Sequence, residues 1–179
     1  MALFTGKGDA GTTKAFDCPP GVRISKASAL PEALGALDEL NALLGVVKMR
    51  AGAQTRYGKL LREVQEALFV VQAEVAGAEK HTEQARVEEL ERIIEAAEHE
   101  LPPITRFSIA GGTELSAMLD YARTVARRAE RRATAVVDAG ARELSPETKA
   151  YLNRLSSLLF ALARLANHEA GVEDEHPRY

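Results

Sequence analysis

From Pro31 to Gly171, apolar residues recur at every third or fourth position, and only short punctuation interrupts the rhythm. That spacing lines one face of an α-helix and is incompatible with the alternation of a half-buried strand. Leu34, Leu37, Leu40, Leu44 and Val47 predict a first helix over about Pro31 to Met49, with proline in a first-turn position where its missing N–H costs nothing. Leu60, Leu61, Val64, Leu68, Val71 and Val75 predict a second over about Thr55 to Ala78. A third, about Glu83 to His99, ends before Pro102 and Pro103. The fourth runs from about Glu114 to Asp138 behind Thr113 as N-cap, and the fifth from Ser145-Pro146 to Gly171.

The expected fold is all-α: a five-helix antiparallel bundle in one domain, residues 31–171. Residues 1–30 carry glycines and Pro19-Pro20 without helical periodicity, so they are expected to form an extended N-terminal loop. Residues 172–179 are expected to be a mobile acidic tail. The chain has five Phe, four Tyr and no Trp, so its core must be built from Leu, Ala, Val and Ile, which suits packed helices better than a sandwich.

A formal charge of −3 argues against a general polyanion binder, so any basic site must be local. The single cysteine, Cys18, excludes an intrachain disulfide framework and fits a reducing compartment. No apolar run is long enough to span a bilayer and the N-terminus has no apolar signal core, so a cytoplasmic location is expected.

The sharpest local feature is Arg123-Thr-Val-Ala-Arg127-Arg128-Ala-Glu130-Arg131-Arg132. At about 100° per residue, Arg123, Arg127 and Arg131 form a row flanking the buried face, whereas Arg128 and Arg132 lie farther round. Glu130 falls between the core and the first row. A guanidinium near the core needs a partner, and its fork matches phosphate oxygens as well as carboxylates. On spacing alone this is equally a phosphate site or a solvated face with internal ion pairs. A nucleic-acid surface is the weaker reading, because no aromatic residues interleave the arginines.

Thr5-Gly-Lys7-Gly8-Asp9-Ala-Gly11-Thr12-Thr13 holds small residues that let backbone N–H groups approach an anion, with Lys7 adding charge. It is neither a Walker loop nor a dinucleotide fingerprint, and by itself it reads somewhat more readily as a flexible tail than as an anion site.

These segments occur in order with Glu32-Ala-x-Gly35-x-x-Asp38-Glu39-Leu40-Asn41, Phe107-x-x-x-Gly111-Gly112 and Tyr151-Leu-Asn153-Arg154-Leu-Ser156. The set, from Phe4 to about Asn167, resembles the PduO-type family of corrinoid adenosyltransferases. The resemblance implies a homotrimer of five-helix bundles with active sites between adjacent subunits. It implies transfer of the 5′-deoxyadenosyl group of ATP, accompanied by magnesium, to reduced cobalamin, with release of triphosphate. Thr5, Gly6, Lys7, Gly8, Gly11, Thr12, Thr13 and Lys26 would then take the triphosphate. Arg127, Arg128, Glu130 and Arg131 match the ATP-site helix of the family, and Asn153 its adenosine-side contact. Asp38 and Arg123 match a salt bridge across the subunit interface, and Phe107 an aromatic on the corrin side. With Arg127 facing the leaving triphosphate, Arg127, Arg123 and Asp38 are the candidate catalytic set. A reductase and a cobalamin-dependent acceptor enzyme are the implied protein partners. The competing reading is an ATP-binding sensor of the same fold without transferase activity.

The chain departs from the family pattern at Gly6, where a basic residue is common, at Ser157, where an aspartate is usual, and across residues 14–24. His81, His99, His168 and His176 share no metal-ligand spacing and are expected at the surface, and no metal site built from protein side chains is expected.

Overall fold

The computed structural model describes residues 4–179. Five helices account for most of them: α1 (Ala29–Ala51), α2 (Arg56–Val75), α3 (Gln84–Glu100), α4 (Glu114–Asp138) and α5 (Pro146–Glu169). The N-terminal segment also contains a two-stranded antiparallel ribbon, β1 (Thr12–Thr13) against β2 (Ile24–Ser25).

Helix ends fall where local chemistry places them. Thr55, Thr113 and Ser145 cap α2, α4 and α5 by accepting from the backbone N–H three residues on. The second helix ends at Val75, short of the expected Ala78. Gly77 adopts φ +97°, and Ala78 N–H donates to Ala73 O while Gly77 N–H donates to Glu74 O. That paired reversal is a Schellman motif, and it satisfies the last carbonyls without further helix.

α5 is the most enclosed element, with thirteen buried residues running from Thr148 to Asn167. It packs between α4 and α3, while α1 packs between α4 and α2. One hydrophobic cluster joins all five helices, from Leu37 and Leu44 through Leu61, Leu68 and Leu119 to Leu155 and Leu159. Side-chain pairs fix the directions. Arg50–Glu114 and Arg132–Glu32 make α1 antiparallel to α4, and Asn167–Thr113 and Asn153–Glu130 do the same for α4 and α5. α3 and α5, however, run parallel: Glu91 pairs with Arg154, and Ala97 packs with Ala161 and Leu165. The expectation of uniformly antiparallel neighbours is therefore corrected. The cause is the long connection 101–113, which carries the chain past α5 so that α4 docks on its other side.

The tail is also not free. Glu175 O accepts from Ile109 N–H at 2.7 Å, and Asp174 pairs with Arg164 at 3.0 Å, so residues 174–176 lie along the 102–109 segment.

A carboxylate reaches across the bundle to start α5. Glu74 accepts from Ser145 N–H at 2.6 Å and from the hydroxyls of Ser145 and Thr148 at 3.2 and 2.5 Å. It is thus a second N-cap supplied from α2, and its charge also meets the positive end of the α5 dipole. Glu74→Ala should therefore remove about 2 kcal/mol of stability. A thermal melt should show Tm lower by roughly 4–8 °C, and an unchanged Tm would rule out this role.

Candidate functional site

The N-terminal loop is built by glycine and pinned by cations. Gly6 and Gly11 take φ +67° and +75°, values that L side chains avoid. Asp9 N–H donates to Gly6 O and Gly11 N–H to Gly8 O, giving two successive tight turns. Arg23 then clasps the ribbon, donating to Thr12 Oγ1 at 2.8 Å and to Thr12 O at 2.7 Å. Lys26 N–H donates to Gly11 O, and the Lys26 side chain folds over the loop. A Cβ on Gly8 would stand 2.9 Å from Lys26 Nζ. Lys26 thus joins the loop motif in space as well as by resemblance. Arg23 was not among the residues singled out from the sequence, because it lies in the divergent stretch 14–24.

On α4 the five arginines divide by partner. Arg128 pairs with Glu39 at 2.6 Å and Arg132 with Glu32 at 3.7 Å, both acids on α1. Arg123 pairs with Asp120 one turn earlier at 3.2 Å and lies over the Phe160 ring at 5.9 Å. Arg127 and Arg131 form no salt bridge among the described residues; Arg131 Nη1 donates only to Arg127 O, at 3.3 Å. The row flanking the core is less uniform than the helical wheel implied. Arg123 is half-buried, whereas Arg127 and Arg131 are exposed on the shoulder of the helix. Two neighbouring guanidinium groups without acids are a local excess of positive charge, well suited to a multivalent anion.

Beside them, Glu130 and Asn153 are brought together: Asn153 Nδ2 donates to Glu130 Oε1 at 3.0 Å, and Arg154 donates to Asn153 Oδ1 at 2.6 Å. Glu130 also lines a cleft of about 310 Å³ with Thr134, Val137, Lys149 and Leu152, apolar in part and open to solvent. Asp38 stands apart on α1, exposed, in a shallow groove with Leu34, Phe69 and Ala73. Within one chain Asp38 forms no salt bridge among the described residues, and Arg123 spends its charge on Asp120. No hydrogen bond or salt bridge among the described residues links the loop 4–28 to Arg123–Arg132 either.

Phe107 lies at the other end of α4, on the connection before Thr113, with 79% of its surface exposed. His176 Nδ1 bonds Phe107 O at 2.8 Å. This histidine was expected to be an idle surface residue, and no sequence signal marks it, because its partner is 69 positions away. No cluster of three or more His, Cys, Asp or Glu able to hold a metal occurs among the described residues. No helix among them is long and apolar enough to cross a membrane.

A cobalamin adenosyltransferase family model matches residues 3–166. The corrinoid adenosyltransferase PduO of Citrobacter freundii is 38% identical over an alignment covering 95% of this chain and 51% of that protein. The chain thus spans about half the length of that relative. The corrinoid adenosyltransferase of Mycobacterium tuberculosis is also 38% identical, and there the alignment covers 95% of this chain and 91% of the relative. Among solved structures, a phenylalanine-to-histidine variant of the PduO-type ATP:corrinoid adenosyltransferase from Lactobacillus reuteri, complexed with cobalamin and ATP, superposes with a TM-score of 0.88. It is 28% identical, with 99% of this chain and 97% of that one covered.

The Gly8–Lys26 approach yields a direct test. Gly8→Ala should push the flexible ammonium aside with a stability change within about 0.5 kcal/mol. Affinity for inorganic triphosphate, measured by calorimetry, should fall by about 3–10-fold, as for loss of one charge-assisted contact, and Lys26→Met should match it. Unchanged affinity in both variants would remove Lys26 from the site.

Proposed function

The chain belongs to the cobalamin adenosyltransferase family, and on that footing we propose that it transfers the 5′-deoxyadenosyl group of ATP to cob(I)alamin, releasing triphosphate. The observation that carries this reading is the pair Arg127 and Arg131, which have no carboxylate partner among the described residues on a helix whose other arginines, Arg123, Arg128 and Arg132, are all matched. Relatives named for the reaction, and a related structure complexed with cobalamin and ATP, support it.

The reaction asks little covalent chemistry of the protein. Cobalt(I) is the nucleophile: its electron pair forms the cobalt–carbon bond at C5′ while the C5′–O bond breaks and triphosphate departs with the pair of that broken bond. The protein must place the two reactants and meet the charge that develops on the leaving group. Arg127 and Arg131 supply fixed positive charge, and Lys26, Lys7 and the N–H groups between Thr5 and Thr13 cradle the remaining phosphates. Glu130 and Asn153, already bonded to each other, suit the ribose and adenine side. Magnesium would ride on phosphate oxygens, with the Thr5, Thr12 and Thr13 hydroxyls nearby, since the chain offers no carboxylate cage of its own among the described residues. Phe107 presents an apolar wall that keeps water from the lower axial face of the corrin.

The site is completed between subunits of a homotrimer. Three features support this: among the described residues the loop 4–28 and the arginines Arg123–Arg132 share no hydrogen bond or salt bridge, Asp38 pairs with no cation among them, and Val46, Phe69 and Tyr121 leave more than half their surface exposed on α1, α2 and α4. In the assembly Asp38 of one subunit would face Arg123 of the next. The lone thiol of Cys18 fits a cytoplasmic setting, where a reductase would deliver cob(I)alamin and a cobalamin-dependent enzyme would receive the product.

Incubation with ATP, magnesium and chemically reduced cobalamin should convert the visible spectrum to that of adenosylcobalamin, with a solution mass of three chains. Arg127→Ala should lower kcat by about 10²–10³. ATP binding without any spectral conversion would establish a nucleotide sensor instead.

A further inference from the structure

The connection 101–113 carries Phe107, yet its own side chains hold it in place only weakly: residues 102–107 are all exposed. Its fixation comes from the opposite terminus. Arg164, whose side chain is only 11% exposed, donates Nη2–H to Pro102 O at 2.9 Å and pairs through Nε with Asp174 at 3.0 Å. Asp174 in turn sets the tail beside the connection. The next two residues then bond it directly: Glu175 O accepts from Ile109 N–H at 2.7 Å, and His176 Nδ1 reaches Phe107 O at 2.8 Å. A carbonyl only accepts, so Nδ1 carries the proton. At the exit of the connection, buried Asn167 donates to Gly111 O at 2.9 Å and accepts from Thr113 N–H at 2.9 Å. Gly112, at φ +93°, permits that clasp, since a Cβ there would lie 2.5 Å from Asn167 Oδ1.

The backbone of Phe107 is therefore held by one side-chain bond, from a residue two positions after Asp174 and 69 positions after Phe107 itself. We propose that residues 174–176 form a strap that positions Phe107 for the corrin, with His176 as the positioning residue. The strap contacts Arg164 on α5 and the connection before α4, and among the described residues it shares no hydrogen bond or salt bridge with Arg127 or Arg131, which lie more than three turns along α4. Its action should accordingly fall on the cobalamin half of the reaction alone. A strap of this kind links the presentation of the aromatic wall to the last six residues of the chain, a segment beyond the family-matched residues 3–166.

This inference rests on the reading of Phe107 as the corrin-facing aromatic, and the test separates the two. In the full-length protein, His176→Ala should raise KM for cobalamin by about 3–10-fold, the loss of one hydrogen bond, while KM for ATP stays within about twofold. The spectroscopic signature of four-coordinate cob(II)alamin on the ATP-loaded protein should weaken in parallel. His176→Asn, whose amide N–H can take the place of Nδ1–H, should restore both. An unchanged cobalamin KM and signature in His176→Ala would overturn the strap, as would an equal loss in both KM values accompanied by a lower melting temperature. If the wild-type protein makes no adenosylcobalamin, the transferase reading fails and the strap is read by amide exchange. Faster exchange at Ile109 in His176→Ala then supports it, and unaltered protection overturns it.

Discussion

The enclosure of α5 governs everything else in the molecule. Its apolar residues continue almost around the cylinder from Tyr151 to Ala166, so water must be excluded on nearly every side. α4 and α3 cover two flanks, and the cluster running through Leu37, Leu61 and Leu119 closes the remainder. Because burial claims the middle of the bundle, polar groups with work to do are displaced to its shoulders and ends. The arginines stand on the shoulder of α4, the glycine loop precedes α1, and Phe107 sits in the connection before α4.

Positive charge on that shoulder is sorted by matching. Glu39 and Glu32 on α1 take Arg128 and Arg132, and Asp120 takes Arg123. The Arg128–Glu39 and Arg132–Glu32 pairs are solvent-screened and contribute little to stability. Their effect is selective: they tie down guanidinium groups that face other helices and leave Arg127 and Arg131 facing outward. An anion arriving there replaces water and meets cations whose neighbours are already neutralised, so the field is concentrated over a short stretch of helix.

Much of this was legible from residue order. The three-and-four spacing located all five helices, with Thr55, Thr113 and Ser145 marking three starts, and the phase of the arginines separated Arg127 and Arg131 from Arg128 and Arg132. The error at the end of α2 had a visible cue in Gly77. What could not be read is whatever depends on partners distant in the chain. Periodicity gives each helix a face but no neighbour, so the parallel packing of α3 on α5 was hidden. Asp120 stands three residues before Arg123, a spacing that local rules would have flagged, whereas the proposed match of Asp38 with Arg123 of a neighbouring subunit lies outside any single chain. His176 sits in a run of acids whose composition signals solvation, and its bond to Phe107 O arises only because Arg164 and Asp174 turn the tail back.

α4 is one uninterrupted helix of 25 residues, with the Phe107 connection at its start and Arg127 and Arg131 in its second half. In such a rod, length and phase are the same variable: each residue adds about 1.5 Å and about 100°. The helix is therefore a ruler as well as a scaffold. One residue gained between Thr113 and Arg127 would barely lengthen it, yet would swing both free guanidinium groups a quarter turn toward the core or the bulk solvent. The interval must change by about seven residues, two whole turns, before the cations face the same way again, and by then the two ends would be about 10 Å farther apart. Helical phase thus constrains the count of residues between the Phe107 connection and Arg127, and not only their identity.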